Sequence, residues 1–272
     1  MSFLTHEIFF LDQIEKAKNN VEVGRYRLFS TLAWVYCWGY TTPEMVAKLL
    51  SASKRKEYRW IASWVDQGLL KKVPSNSPIA REIIILSREG ASLLLFAFAK
   101  NDIDKTVNDY VFEPSRINFQ HLTHTLACQM ATLKMINEDN FNTYICEREF
   151  TFKSKKLVKQ PDVIIQKNDL KIALEIELSP KNQRNMDTAI LANLDLLDSG
   201  KIDAIWYVTH VKMIENLILK TIAQGSINIW GKNKKNKWCV VDKRKMSDEN
   251  KMRIQVKVVD YLDRLFVRGG MK

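Results

Sequence analysis

The stretch from Pro161 to Lys181, PDVIIQKNDLKIALEIELSPK, constrains this chain more than any other, because it sets carboxylates into two otherwise apolar runs. Asn168-Asp169 separates the runs and reads as a tight hairpin turn. With the turn centred between those two residues, Asp162 lies directly opposite Glu175, and opposed side chains stand roughly 4.5 to 5.5 Å apart at Cβ. Along the second strand, Ile172, Leu174, Ile176 and Leu178 point one way, and Ala173, Glu175, Glu177 and Ser179 the other. Asp162, Glu175 and Glu177 therefore cluster on one face. Close carboxylates repel, and a divalent cation among their oxygens relieves the repulsion. The competing reading is a half-buried hairpin whose polar face is simply hydrated. Against it stands the lack of any basic or amide side chain among Ala173, Glu175, Glu177 and Ser179.

The charge balance bears on the partner. Lys and Arg number 42 against 31 Asp and Glu, a net charge of +11 with a pI near 9.4. That balance favours a polyanion, with nucleic acid ahead of a membrane surface or an acidic protein. A chain of 272 residues with 46% hydrophobic residues is long enough for two domains with real cores. Cys37, Cys128, Cys146 and Cys239 show no CxxC spacing, which argues against a zinc knuckle or a disulfide framework and for reduced, cytosolic thiols. No basic stretch precedes the apolar residues of the N-terminus, and the apolar run Leu93 to Ala99 is far too short to span a bilayer. The expectation is a cytoplasmic protein without a targeting or membrane segment. No Walker loop, GxSxG or Rossmann glycine pattern is present, so NTPase, hydrolase and dehydrogenase readings fall away.

Residues 1–99 read as a winged helix. Leu28, Leu32, Val35 and Tyr36 recur at helical spacing before Gly39, and Thr42-Pro43-Glu44 opens a short second helix. A third helix follows Ser51 to Ser53, with Tyr58, Ile61, Trp64 and Val65 as its buried stripe and Lys54, Arg55, Lys56 and Arg59 crowding its first turns. A helix-turn-helix recognition helix meets phosphates and the major groove at that end. Leu70 to Val73 and Glu82 to Leu86 flank the turn-rich Pro74 to Pro78 and predict a wing carrying Lys71, Lys72 and Arg81. A last helix opens at Ser87. The competing reading is a winged helix used for protein contacts, its basic residues merely solvated.

Residues 100–117 lack an apolar stripe and read as a linker, 118–235 as an α/β domain, and 236–272 as a basic extension. A helix from near Asn118 carries Leu122, Leu126, Met130 and Leu133 on one side and the pair His121 and His124 on another; a lone pair at that spacing is more often structural than metal-binding. Tyr144 to Phe152 predicts a strand with Glu147 and Glu149 on one side, which leaves open an approach to the acids or a plain exposed face. Lys153, Lys155, Lys156 and Lys159 form a basic loop suited to a nucleic-acid backbone. Ser179-Pro180 is expected to cap a helix through Leu197, with Lys181 and Arg184 at its leading end and Gly200 as its stop. Ala204 to Val208 and Ile227 to Trp230 predict strands around a helix, Met213 to Ile222. The tail is either solvated or an added phosphate clamp, and Ile254 to Phe266 predicts a strand with a helical end. The expected fold class is α+β, an N-terminal winged helix followed by a restriction-endonuclease-like α/β domain.

Pro161-Asp162, a gap, then Glu175-x-Glu177 resembles the PD-(D/E)xK nuclease core, except that the position normally held by Lys is Glu177. With the winged helix ahead of it, the helix bearing His124-Thr125-Leu126-Ala127, and Glu175-Ile176-Glu177-Leu178-Ser179 with Lys181, most of the chain resembles the replication-relaxation family, within it the MobC-type relaxases of mobilisable plasmids and integrative elements. The resemblance implies strand-specific nicking of double-stranded DNA at an origin of transfer, with Mg2+ or Mn2+ at Asp162, Glu175 and Glu177. It also implies that Lys181 contacts the phosphate and His124 supports the site. Two alternatives stand beside it: a plasmid replication or transcription factor whose nuclease-like domain does not cut, and an adaptor that recruits other mobilisation proteins.

Overall fold

The computed structural model describes residues 6–51, 54–77, 79–101, 103, 115, 117–139, 141, 143–149 and 160–263; the side chains of 6–8, 54–57, 76 and 139 lie outside the description. The chain is mixed α and β and divides into two compact units, residues 1–153 with 265–272, and residues 154–264.

In the first unit, α1 (His6–Lys16) is followed by α2 (Asn20–Trp38). The Asn19 side chain caps α2 by accepting the Glu22 N–H, and Gly39, at φ 80°, ends it with its N–H on the Val35 carbonyl. Thr42 caps α3 (Pro43–Leu49), with Pro43 in its first turn as expected. Next come α4 (Lys54–Asp66), the antiparallel strands β1 (Leu70–Ser77) and β2 (Ala80–Leu86), and α5 (Arg88–Lys100). Thr41 adds an isolated antiparallel bridge to Ile84, so the wing has a third contributor. Gly90 in α5 is obligatory: a Cβ there would stand 2.1 Å from the Leu69 carbonyl oxygen. From α2 to α5 the elements follow one another as helix, helix, helix, hairpin, helix, the order expected from the sequence. Ile61 and Trp64 of the expected α4 stripe are buried, but Tyr58 is 40% exposed and lies beside Lys72 of the wing, whose ammonium is 5.8 Å from its ring.

The same unit also holds α6 (Leu122–Asp139) and β3 (Thr143–Cys146), which corrects the boundary expected at 100–117. The reason is a buried polar hub. Gln129 of α6 is fully buried; its Oε1 accepts from Trp34 Nε1 (3.1 Å) and Thr41 Oγ1 (2.7 Å), and its Nε2 donates to the Tyr40 carbonyl (2.8 Å). Tyr144 of β3 packs its ring 5.6 Å from Trp34 and 5.9 Å from Trp38, and the Cys146 thiol donates to the Cys37 carbonyl. The strand expected to reach Phe152 stops at Cys146: residues 147–149 are helical and the Glu149 carboxylate, buried, accepts the Cys146 N–H. Glu147 and Glu149 therefore share no strand face.

In the second unit, β4 (Val163–Lys167) and β5 (Leu170–Glu177) form the expected hairpin, with Val163 opposite Leu174 and Lys167 opposite Leu170. Asn168 takes the left-handed conformation of the turn at φ 54°, which its short polar side chain tolerates. β5 runs parallel to β6 (Ala204–Thr209), and β6 parallel to β9 (Ile254–Val258), so the strands of this unit follow one another in the order β4-β5-β6-β9. One face carries α7 (Gln183–Asp198) and α8 (Lys212–Ala223): Met186, Ile190 and Leu194 of α7 and Ile214 and Ile218 of α8 pack with Ala173, Ile205, Tyr207 and Ile254 of the strands. Each such buried side chain contributes about 1.5 to 3 kcal/mol.

Two expectations are corrected here. The cap of α7 is Asn182, whose side chain accepts the Asn185 N–H, so Ser179 and Pro180 belong to the loop before it; Gly200, at φ 64°, ends the helix as expected. Residues 236–263 are not a separate extension, and 264–272 lie outside the described residues. β7 (Ser226–Lys232) pairs antiparallel with β8 (Trp238–Lys245) in a sheet of its own, and after α9 (Asp248–Met252), β9 enters the main sheet. The cut expected at 235 falls inside the β7–β8 turn.

Candidate carboxylate site and basic surface

The hairpin register brings Asp162, one residue ahead of β4, to the end of β5. Its carboxylate accepts the backbone N–H of Ile176 at 2.7 Å, between Glu175 and Glu177. Glu175 and Glu177 are only 1% and 3% exposed, which excludes the hydrated-face reading. They are buried because β5 is an interior strand, paired with β4 on one side and β6 on the other, with α7 packed over their face. Glu175 Oε1 accepts from Asn193 Nδ2 of α7 at 2.9 Å, and that same nitrogen donates to the Tyr207 hydroxyl at 3.2 Å. Glu177 accepts from the ammonium of Lys181, four residues on, in the loop before α7.

Parallel pairing sets Tyr207 beside Glu175 and Thr209 beside Glu177. Burial pushes the Tyr207 hydroxyl pKa well above the usual tyrosine value; the charge of Glu175 raises it further, as do those of Glu177 and Asp162, while the Asn193 hydrogen bond opposes them. One buried hydroxyl thus senses all three carboxylates. The ends of β5 and β6 where they gather are the carboxyl ends of parallel strands, the usual place for ligands in open α/β sheets. Carboxylate oxygens are hard donors, of the kind that Mg2+ and Mn2+ take as ligands.

His124 lies in the first unit, half-buried on α6, with Nδ1 3.7 Å from the Cys128 thiol; His121 is exposed on the turn before that helix. On the predicted nucleic-acid surface, Lys54, Arg55 and Lys56 occupy the first turn of α4, with side chains outside the described residues, and Arg59 is exposed one turn on. Lys71 is half-buried and Lys72 exposed on β1, and Arg81 is exposed at the start of β2; Lys72 pairs with Glu82 at 3.2 Å. Lys153, Lys155, Lys156 and Lys159 fall outside the described residues.

No family model and no curated protein matches the chain. Among solved structures, a MarR family transcriptional regulator from Silicibacter pomeroyi DSS is similar at 18% identity, over 43% of this chain and 74% of that one, with a TM-score of 0.27. At that score the likeness carries no argument about this chain. No described helix is long and apolar enough to cross a membrane.

Sequence reasoning missed Asn193 and Tyr207. Asn193 had a signal: it follows Met186 by seven residues and so shares the buried stripe of α7, where an amide needs a partner. Asp187 is a second buried polar group of α7, but it is a structural one, accepting from Gln183, Asn228 and Trp230.

Proposed function

We propose that this chain is a DNA-binding protein of the relaxase type, which holds duplex DNA on α4 and the wing and nicks one strand at the carboxylates of the second unit with Mg2+ or Mn2+. The observation that supports it most is the convergence of Asp162, Glu175 and Glu177, two of them buried, at the carboxyl ends of β5 and β6. A bound divalent ion there would polarise a phosphate and lower the pKa of a water. The chain's own groups hold the geometry. Ile176 N–H fixes the Asp162 carboxylate, Asn193 fixes Glu175, and Lys181 sets an ammonium against Glu177, beside the position where the PD-(D/E)xK pattern has its lysine. Lys181 is half-buried, so its charge can turn to a phosphate that enters the site. The DNA-holding role rests on the winged-helix element order and on the basic residues of α4, β1 and β2.

The test is nicking of supercoiled plasmid carrying the cognate origin, with Mg2+ or Mn2+. Asp162→Asn and Glu175→Gln keep an acceptor oxygen for Ile176 and Asn193 and remove one charge each. Both variants should lose nicking while retaining duplex binding. Wild-type nicking rates in both would leave a DNA-binding factor whose second unit does not cut.

A further inference from the structure

The β7–β8 hairpin plays no part in the site above, yet it is the most basic and least covered element of the second unit. Between Ser226 and Lys245 stand Lys232, Lys234, Lys235, Lys237, Lys243, Arg244 and Lys245, against the single acid Asp242. Arg244 is occupied by Asp195 and Asp198 of α7, while the six lysines are all exposed. The turn presents its cations on a fixed backbone. Asn233 Oδ1 accepts the N–H groups of Lys235 and Lys237 at 2.9 and 3.0 Å, and Asn236 sits at φ 57°.

Apolar surface lies among these charges. Trp238 is 51% exposed, and Val240 and Val241 are 43% and 58% exposed beside it. The Trp238 indole carries the Arg184 guanidinium at 4.5 Å from its centroid and Lys232 Nζ at 5.6 Å. A half-open indole ringed by cations is the arrangement that binds unpaired nucleic acid: the ring stacks on a base and the cations take the flanking phosphates. In duplex DNA the base faces are covered by their neighbours, so the indole would have nothing to stack on and only the lysines would engage.

We propose that the β7–β8 hairpin is a single-stranded DNA-binding surface, with Trp238 as the base-stacking platform and Arg184, Lys232, Lys234, Lys235 and Lys237 as its phosphate contacts. The inference extends the nicking reading to a freed strand without depending on the carboxylates.

The experiment is fluorescence anisotropy with a labelled 20-nucleotide oligo(dT) and the full chain, in EDTA, so that loss of cation or of nicking cannot alter the result. Trp238→Ala should weaken binding by about tenfold, the scale of one lost base stack, and Trp238→Phe should restore most of it. Replacing Lys234, Lys235 and Lys237 by Ala, on exposed turn positions where folding is not at stake, should lower the slope of log affinity on log salt by about 2. Binding of a 20-base-pair duplex should be insensitive to Trp238→Ala. Unchanged oligo(dT) binding in the triple-lysine variant would overturn the proposal, as would equal losses for duplex and single strand in Trp238→Ala.

Discussion

The two units each bury a polar cluster, and the clusters are built on opposite principles. Around Gln129 the groups are neutral: an indole N–H, a threonine hydroxyl and a backbone carbonyl satisfy both ends of one carboxamide, tying α6 to α2 and to the Tyr40-Thr41 segment that follows it. Around Tyr207 they include three carboxylates, whose charges add to the effect of burial in suppressing ionisation of the tyrosine. A neutral network that meets its own hydrogen-bonding needs stabilises a fold and asks for nothing more. A buried concentration of like charge costs stability, and is expected where a ligand of opposite charge compensates it. The contrast sets a polar core that meets its own needs against one that we propose binds a cation.

The largest expected effect concerns DNA and divides the units by function. Replacing Lys54, Arg55 and Arg59 by Ala should lower the slope of log affinity on log salt for duplex DNA by about 2.7, with a corresponding loss of affinity at physiological salt. Filter binding across a salt series measures it, and an unchanged slope would remove α4 from the interface.

A second prediction tests the contrast by its sign. Gln129→Met fills the same space but strips hydrogen-bond partners from Tyr40, Trp34 and Thr41, and should destabilise the cation-free protein by about 2 to 3 kcal/mol. Glu175→Gln keeps an acceptor for Asn193 and removes a like charge, so the cation-free protein should be unchanged or stabilised by up to about 1 kcal/mol. Urea unfolding in EDTA compares the two; similar losses in both would erase the distinction.

The smallest effect is a pH dependence. Burial raises the pKa of Tyr40 in the first unit as well as that of Tyr207, but the charges of Glu175, Glu177 and Asp162 raise that of Tyr207 further. Both hydroxyls titrate above the usual tyrosine value, so the stability each tyrosine contributes is intact below about pH 10 and is lost as pH rises beyond it, where the unfolded chain ionises first. The alkaline fall in melting temperature should be blunted by Tyr207→Phe more than by Tyr40→Phe. Equal blunting would deny the carboxylates their influence on Tyr207.

How much of this was legible in the sequence depends on the range of the interactions. The hairpin at Asn168-Asp169, its register and the shared face of Glu175 and Glu177 on β5 follow from local alternation, and so do the caps at Thr42 and Ser87. What alternation hid was the burial of the acids, because covering that face needs α7 and pairing with β6, neither of which is encoded within β5. The Gln129 hub joins residues 88 to 95 positions apart, and no local pattern announces it; the boundary was misplaced for that reason. The lysines of β8 masked a strand, although the extended stretch Ile227 to Trp230 of its partner β7 was legible.

The central claim is that Asp162, Glu175 and Glu177 act as one cation-binding unit, and calorimetric titration of Mn2+ into the full chain tests it most directly. Wild type should bind with a single site, and Asp162→Asn, Glu175→Gln and Glu177→Gln should each weaken that binding by at least about tenfold, with duplex DNA affinity in EDTA unchanged. Wild-type Mn2+ affinity in all three variants, or no binding by the wild type, would contradict it.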